Sequence, residues 1–114
     1  MLLSIEDKSY LWDLKGAATD FIEFTKGKNY EAFSKDKIIR FAVERQLLVI
    51  GEVSKRLSAE FKSSQPAIQW QSMIGLRNII AHEYGEILSE RIWRIATESI
   101  PALVVQLEGI LSEI

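Results

Sequence analysis

The chain has 114 residues, 47% of them hydrophobic and 26% charged, and its 14 basic and 16 acidic side chains leave a formal net charge of −2. This length and composition fit one folded domain and exclude a disordered chain. The lack of cysteine and the single histidine exclude disulfides, thiolate zinc sites and any site that takes two imidazoles from one chain.

The first predicted helix covers about residues 5–26. Ser4 and Asp7 resemble a capping box at its start, and apolar residues then recur at helical spacing until Gly27 ends the helix. The acidic start of the chain does not resemble a signal peptide. The longest apolar run, 100–105, is far shorter than the ~18 residues of a membrane span, so we expect a cytoplasmic protein that contacts no membrane.

The second predicted helix follows a loop that Tyr30 and Phe33 attach to the core, and it is capped by Ser34 or Asp36. Its apolar stripe is wide enough for burial on more than one side, which indicates the centre of a bundle or the seam of a dimer. The stripe comprises Ile39, Phe41, Val43, Leu47, Leu48, Ile50, Val53 and Leu57. Gly51 within the helix costs about 1 kcal/mol relative to alanine, which predicts that another segment packs closely against it.

The second half of the chain predicts two further helices. Residues 63–66 form the clearest break, and a third helix over about 68–84 ends at Gly85 in a C′ position. The last helix covers about 89–111, and Pro101 is expected to kink or split it because proline lacks a backbone donor.

The predicted fold is all-α, a four-to-five-helix up-and-down bundle that forms a single domain over 1–114, because no stretch alternates like a half-buried strand. Its apolar surface is wider than a lone bundle of this size should expose. We therefore expect a homodimer whose seam involves the second and last helices. With a net charge of −2, contact with nucleic acid must depend on a few well-placed cations.

The residues that can carry chemistry concentrate in residues 76–85, LRNIIAHEYG. Asn78 and His82 are four residues apart and share one helical face. Arg77 and His82 lie about 140° apart on an ideal helix, so a frayed last turn or a second chain is needed to bring both onto one substrate group. Arginine can hold a phosphate and histidine can move a proton, which together suit phosphodiester cleavage without a metal.

The same residues also have a purely structural interpretation. A lone histidine near a helix end, such as His82, is often a cap or a structural residue. Arg77 could pair with Glu52 or Glu83, and Tyr84 could simply pack at the helix end.

Other polar and aromatic residues also allow two interpretations. Lys35, Lys37 and Arg40 could form a phosphate-contacting stripe, although a solvated face explains them equally well. Trp70 and Trp93 lie in apolar helical patterns, which favours core or interface anchors over platforms for stacked bases.

Arg45 and Glu52 are seven residues apart and share one face of the second helix. They could form an exposed or interfacial ion pair. Alternatively, Glu52 borders a cleft and positions Arg77.

The pattern Arg77-Asn78-x-x-x-His82-x-Tyr84 resembles the R-x-x-x-x-H-x-Y motif of HepT-like proteins in the HEPN (higher eukaryotes and prokaryotes nucleotide-binding) superfamily. The resemblance covers about residues 38–107 and includes Arg45–Glu52, Trp70 and Ile92-Trp93.

This resemblance implies a metal-independent endoribonuclease toxin that needs no cofactor and cuts RNA rather than DNA. It implies that Arg77 and His82 are the catalytic pair, at a cleft between two protomers, supported by Asn78, which orients the imidazole, and by Glu52. It also implies an antitoxin partner, a minimal nucleotidyltransferase of the MNT type that transfers AMP to Tyr84.

Two other functions remain open at this point. The chain could be a non-catalytic subunit that binds a nucleotide or a nucleotidyltransferase, or a helical dimerisation module. The intact Arg77 and His82 pair favours the enzyme.

Overall fold

The computed structural model describes residues 3–113, which form eight α-helices and one π-helical turn and contain no β-strand. The all-α prediction is thus confirmed. In chain order the helices are α1 (Ile5–Thr25), α2 (Tyr30–Lys35), α3 (Lys37–Arg56), α4 (Ala59–Ser64), α5 (Trp70–Ile74), α6 (Leu76–His82), α7 (Gly85–Arg94) and α8 (Ile100–Ser112), with the π-helical turn Ile95–Ser99 between the last two.

The core lies between the long helices. Helix α1 packs along both α3 and α8, and α3 also packs against α5 and α6. The predicted stripe of α3 supplies Val43, Leu47 and Ile50 to this core. Another side of α3 is open to solvent, where the Ile38 side chain is 80% exposed and Phe41 56% exposed.

Only one of the two interactions of the predicted capping box forms at the start of α1. Ser4 Oγ accepts a hydrogen bond from the Asp7 backbone N–H at 3.0 Å, but the Asp7 carboxylate does not complete the capping box. It is buried and accepts hydrogen bonds from the Ser58 N–H at 2.9 Å and the Ser58 hydroxyl at 2.6 Å. Since Ser58 also caps α4 by accepting from the Phe61 N–H, Asp7 joins the starts of two helices.

Gly51 provides the close helix approach that its position predicts. A Cβ built there would lie 3.0 Å from the Met73 carbonyl oxygen and 3.8 Å from the Arg77 backbone nitrogen. The glycine therefore allows α5 and the start of α6 to approach α3 closely, which sets the position of α6.

We expect Gly51→Ala to lower the free energy of unfolding by about 1–3 kcal/mol, because the Met73 carbonyl belongs to the backbone and can move only if α5 shifts. The matched control is Gly16→Ala in α1, where a Cβ meets nothing within 4 Å. Helix propensity alone should stabilise that variant by up to about 1 kcal/mol. Thermal unfolding followed by circular dichroism compares the two, and a midpoint for Gly51→Ala at or above the wild-type value would contradict this account.

The structure corrects the predicted loop before Asp36 and confirms Asp36 as the cap of the next helix. The segment predicted as a loop is helix α2, whose start is capped by Asn29 Oδ1 accepting from the Ala32 N–H at 2.8 Å. Asp36, one of the two predicted caps, caps α3 through the Ile39 N–H at 3.0 Å.

The prediction of a single third helix over 68–84 is wrong. The structure divides this segment into α5 and α6 at Gly75. The start of the last helix also differs from the prediction. Helix α6 ends at His82, and Gly85, with φ of +66°, begins α7 four residues before the predicted start at Ser89. A glycine tolerates positive φ, so it can begin the next helix after a reversal as readily as it can end the previous one.

The last helix is continuous but irregular before Pro101. The π-helical turn Ile95–Ser99 precedes the proline. Its wider winding makes room for the proline ring, which lacks the backbone N–H of a regular helical residue. By length and composition alone, Gly85–Ser112 is long and apolar enough to cross a membrane, unlike the short run considered from sequence. One stripe of this helix, which includes Ile92 and Ile100, is buried in the core, so the helix has a defined place in the bundle.

Candidate active site

Helix α6 and the turn that follows it hold the predicted site. After His82 the backbone becomes extended at Glu83, with φ of −113°, and at Tyr84, with φ of −154°. Successive side chains of extended backbone point to opposite sides. The Glu83 carboxylate accordingly turns toward α7 and forms an ion pair with Arg91 at 3.0 Å, whereas the Tyr84 side chain is 83% exposed.

The three polar side chains of α6 are free to meet a substrate. Arg77, Asn78 and His82 are all exposed. Over residues 3–113, none of their side chains makes a hydrogen bond or an ion pair within the chain. Asn78 and His82, four residues apart, lie on the same face of α6.

The structure rules out the two ion pairs considered for Arg77 within one chain. The Glu52 carboxylate pairs with Arg56 at 3.3 Å, and Glu83 pairs with Arg91 at 3.0 Å. Each carboxylate thus has another arginine as its partner, and Arg77 keeps its guanidinium available.

A small cavity of about 260 Å³ lies between α3 and α6. It is lined by Arg45, Leu48, Val49, Glu52, Val53 and Arg77. Glu52 therefore borders the same cavity as Arg77, although the proposed pair of Arg45 with Glu52 does not form. Arg77 lines this cavity and His82 does not, in keeping with the separation of about 140° between the two positions on an ideal helix.

The basic side chains at the end of α2 and in the first turn of α3 do not form a continuous phosphate-binding stripe. Lys35 pairs with Glu31 at 2.9 Å, and Lys37 is exposed. Arg40 is half-buried beside Glu44. Burial raises the pKa of the Glu44 carboxyl above its ordinary value, and the positive charge of Arg40 partly offsets this.

Trp70 and Trp93 are structural anchors, as predicted. Trp70 is buried, and its indole N–H donates to the Gln65 carbonyl at 3.2 Å. Trp93 packs against Phe33, with ring centroids 5.4 Å apart, and against Tyr30. Burial, followed by nearby glutamates, raises the pKa of the Tyr30 hydroxyl.

A larger groove, of about 680 Å³, separates α5 and α6 from the last helix. It is lined by Ala67, Ile68, Gln69, Ser72, Met73, Gly75, Leu76, Ile79, Arg91, Arg94, Ile95, Glu98, Ser99, Ala102, Leu103 and Gln106. We call this cavity the α6–α7 groove. Its lining comes from separate segments with no common motif, so sequence reasoning did not find it. In the described part of the chain, no three histidine, aspartate or glutamate side chains are grouped as metal ligands.

Comparison with known proteins gives consistent matches over most of the chain. A family model described as ribonuclease HepT-like matches residues 14–110. The chain is 40% identical over 101 residues to a protein of Methanocaldococcus jannaschii that is named as an RNase, which covers 89% of this chain and 93% of that protein. It is 38% identical over 96 residues to a protein of Thermococcus cleftensis that carries the name ribonuclease HepT, covering 84% and 87% of the two chains.

A third relative matches over nearly the whole length of both chains. The chain is 32% identical over 106 residues to a protein of Caldanaerobacter subterraneus named as an RNase, with 93% of this chain and 95% of that protein covered. No solved structure matches the chain.

Proposed function

The chain belongs to the HepT-like ribonuclease family, and from this membership and the arrangement on α6 we propose that it is a metal-independent endoribonuclease with Arg77 and His82 as its catalytic pair. The observation that carries the proposal is the exposure of these two side chains without a partner in the described chain, where a structural role would need one. Membership of a ribonuclease family favours an enzyme over a non-catalytic binding subunit.

The proposed reaction uses the neighbouring 2′-hydroxyl of RNA as the nucleophile. His82 removes the hydroxyl proton, the 2′-oxygen attacks the adjacent phosphorus, and the 5′-oxygen leaves and takes up a proton. The products are a 2′,3′-cyclic phosphate and a 5′-hydroxyl, and hydrolysis of the cyclic ester gives a 3′-phosphate. Arg77 holds the phosphate and stabilises the charge that develops on its oxygens. DNA lacks the 2′-hydroxyl, so it is not a substrate for this reaction.

We propose further that two protomers build one cleft. Two-fold symmetry can place Arg77 of one chain opposite His82 of its partner, which removes the difficulty of their separation on α6. The apolar side chains left exposed on α3, Ile38 and Phe41, and Ile87 at the start of the last helix are available for the seam.

Mixing two inactive variants tests this shared site. Co-expressed Arg77→Ala and His82→Ala chains are expected to restore about a quarter of wild-type cleavage. The reason is that half of the dimers are mixed, and each mixed dimer keeps one intact site if the pair comes from opposite protomers. Light scattering of the wild type checks that it is a dimer. A mixture no more active than either variant alone, or a wild-type monomer at micromolar concentration, would argue against the shared site.

The remaining parts of the proposal concern the biological role. We propose that the protein is a cytoplasmic toxin whose antitoxin is an MNT-type nucleotidyltransferase, and that this partner inactivates it by transferring AMP to Tyr84. The 83% exposure of Tyr84 supports the last step, because its hydroxyl is reachable in the folded protein. A gene for a small nucleotidyltransferase beside the gene for this chain would support the pairing.

A further inference from the structure

We infer that the α6–α7 groove holds an unpaired nucleobase of the RNA substrate together with an adjoining phosphate, next to the bond that is cut. This inference deepens the proposed ribonuclease function and rests on it for the identity of the ligand. It assigns to the groove a role in binding the strand, separate from the chemistry of Arg77 and His82.

The position of the groove relative to His82 is the first argument. Ile79 lines the groove on α6, and His82 is three residues further on, where i and i+3 side chains are neighbours on a helix. On the opposite wall, Arg91 lines the groove while its guanidinium lies 3.0 Å from the carboxylate of Glu83, the residue that follows His82. The groove therefore opens beside His82.

The lining is the second argument. The half-buried Ile79 and Ile95 and the exposed Ala102 give the groove an apolar surface that suits the flat face of a base. Gln69 and Gln106 add amide groups, which can both donate and accept hydrogen bonds at a base edge. The volume of about 680 Å³ falls within the ~300–1,000 Å³ typical of small-ligand sites.

The free arginine and the polar residues of the lining favour RNA over a protein helix as the occupant of the groove. The groove lining includes Arg91, Arg94 and Glu98, and of the two arginines Arg91 is already paired with Glu83. Arg94 is exposed and makes no ion pair within the described residues, so it can meet a phosphate. The uncharged polar residues Gln69, Ser72, Ser99 and Gln106 also line the groove, whereas the groove that receives an amphipathic helix is hydrophobic.

The groove also continues beyond one nucleotide. A second depression of about 510 Å³ shares Ile68, Gln69 and Ser72 with it and extends to Lys62. This path suits a single strand that leads away from His82, because unpaired bases can be splayed into pockets and duplex bases cannot.

The test measures binding of a single-stranded RNA oligonucleotide that carries 2′-O-methyl groups, which prevent cleavage, by fluorescence anisotropy. Arg94→Ala is expected to weaken binding roughly tenfold, the loss of a hydrogen bond to a charged group. Ala102→Trp, which fills the groove with an indole, should weaken it by at least as much. The controls are Lys8→Ala, which removes one positive charge from α1, and Val105→Trp, which adds an indole to the exposed side of α8; both should bind like the wild type.

The outcomes distinguish this inference from the proposed function. Groove variants that bind the oligonucleotide as tightly as the wild type, while His82-dependent cleavage is present, would overturn the inference and leave the function standing. Groove-dependent binding by a wild type that cleaves no RNA would support the inference and contradict the function. If the groove variants instead lose only the complex with a protein partner and bind RNA normally, the groove is a protein-docking site and the inference is wrong. Because Arg94 is exposed, its variant keeps the test valid even if the tryptophan prevents folding.

Discussion

Replacing His82 with alanine is expected to slow RNA cleavage by about 10²–10⁴-fold, the usual effect of losing a general acid–base group. The assay contains EDTA, because the proposed reaction needs no metal, and the products of the wild type should carry cyclic or 3′-phosphate ends. The side chain is exposed and makes no hydrogen bond within the described residues, so its removal should leave the thermal unfolding midpoint unchanged.

A variant of the proposed catalytic partner and a control variant on another helix make this prediction specific. Arg77→Lys keeps the positive charge but loses the two-pronged contact of the guanidinium, so it should recover only part of the activity that Arg77→Ala loses. Glu60→Ala, at an exposed position on another helix, should cleave like the wild type. Wild-type cleavage by His82→Ala would show that His82 is not the acid–base group. Activity that appears only with added Mg²⁺ would indicate another mechanism.

Exchange of Tyr84 for phenylalanine is expected to abolish modification by the nucleotidyltransferase while leaving the chain toxic. In the proposed step the Tyr84 hydroxyl oxygen attacks the α-phosphorus of ATP, pyrophosphate leaves, and the hydroxyl proton is released. The product places a negative phosphodiester and an adenosine beside Arg77 and His82. Arg77 would then hold that phosphate in place of RNA, and the adenosine would block the cleft, so inhibition requires no change of fold.

Intact-mass analysis after co-expression with the partner measures this directly. The wild type should gain the mass of one or more AMP groups, and Tyr84→Phe should gain none. The chain offers a matched control in Tyr10→Phe, since Tyr10 is half-buried in α1 and its loss should leave the modification intact. The third tyrosine, Tyr30, has its hydroxyl buried and is not expected to react. Modification that persists in Tyr84→Phe, or an unmodified wild type beside an active partner, would contradict the assignment.

The features that sequence predicted correctly are those that depend on local spacing. The buried stripe of α3 follows directly from apolar residues at intervals of three and four, and Gly51 marked a close approach because few other causes place glycine within a helix. The alternative in which Tyr84 packs at the helix end is wrong, because its side chain is 83% exposed. The match of the family over residues 14–110 also reaches further toward the N-terminus than the motif-based estimate of 38–107.

The features that sequence missed depend on contacts between distant segments or on ambiguous residues. Asp7 had a plausible local partner in Ser4, and nothing in the sequence indicated Ser58, 51 residues away. Gly85 fits the end of one helix as well as the beginning of the next, so its role was assigned to the wrong helix. The α6–α7 groove arises only when two segments are packed side by side, and neither segment alone contains a signal for it.

The ion pair between Glu83 and Arg91 affects how a modifying enzyme would recognise Tyr84, which lies with Glu83 between α6 and α7. An acceptor residue in a mobile loop must lose conformational entropy before it fits a second active site, and that loss weakens the complex. Here the residue just before Tyr84 is tethered to α7 through two oxygens of one carboxylate, at 3.0 and 3.1 Å, while the tyrosine itself extends into solvent. This ion pair therefore restrains the connection before any partner arrives. An enzyme that uses Tyr84 meets a preorganised acceptor, and high salt, which screens partly exposed charges, would weaken that preorganisation.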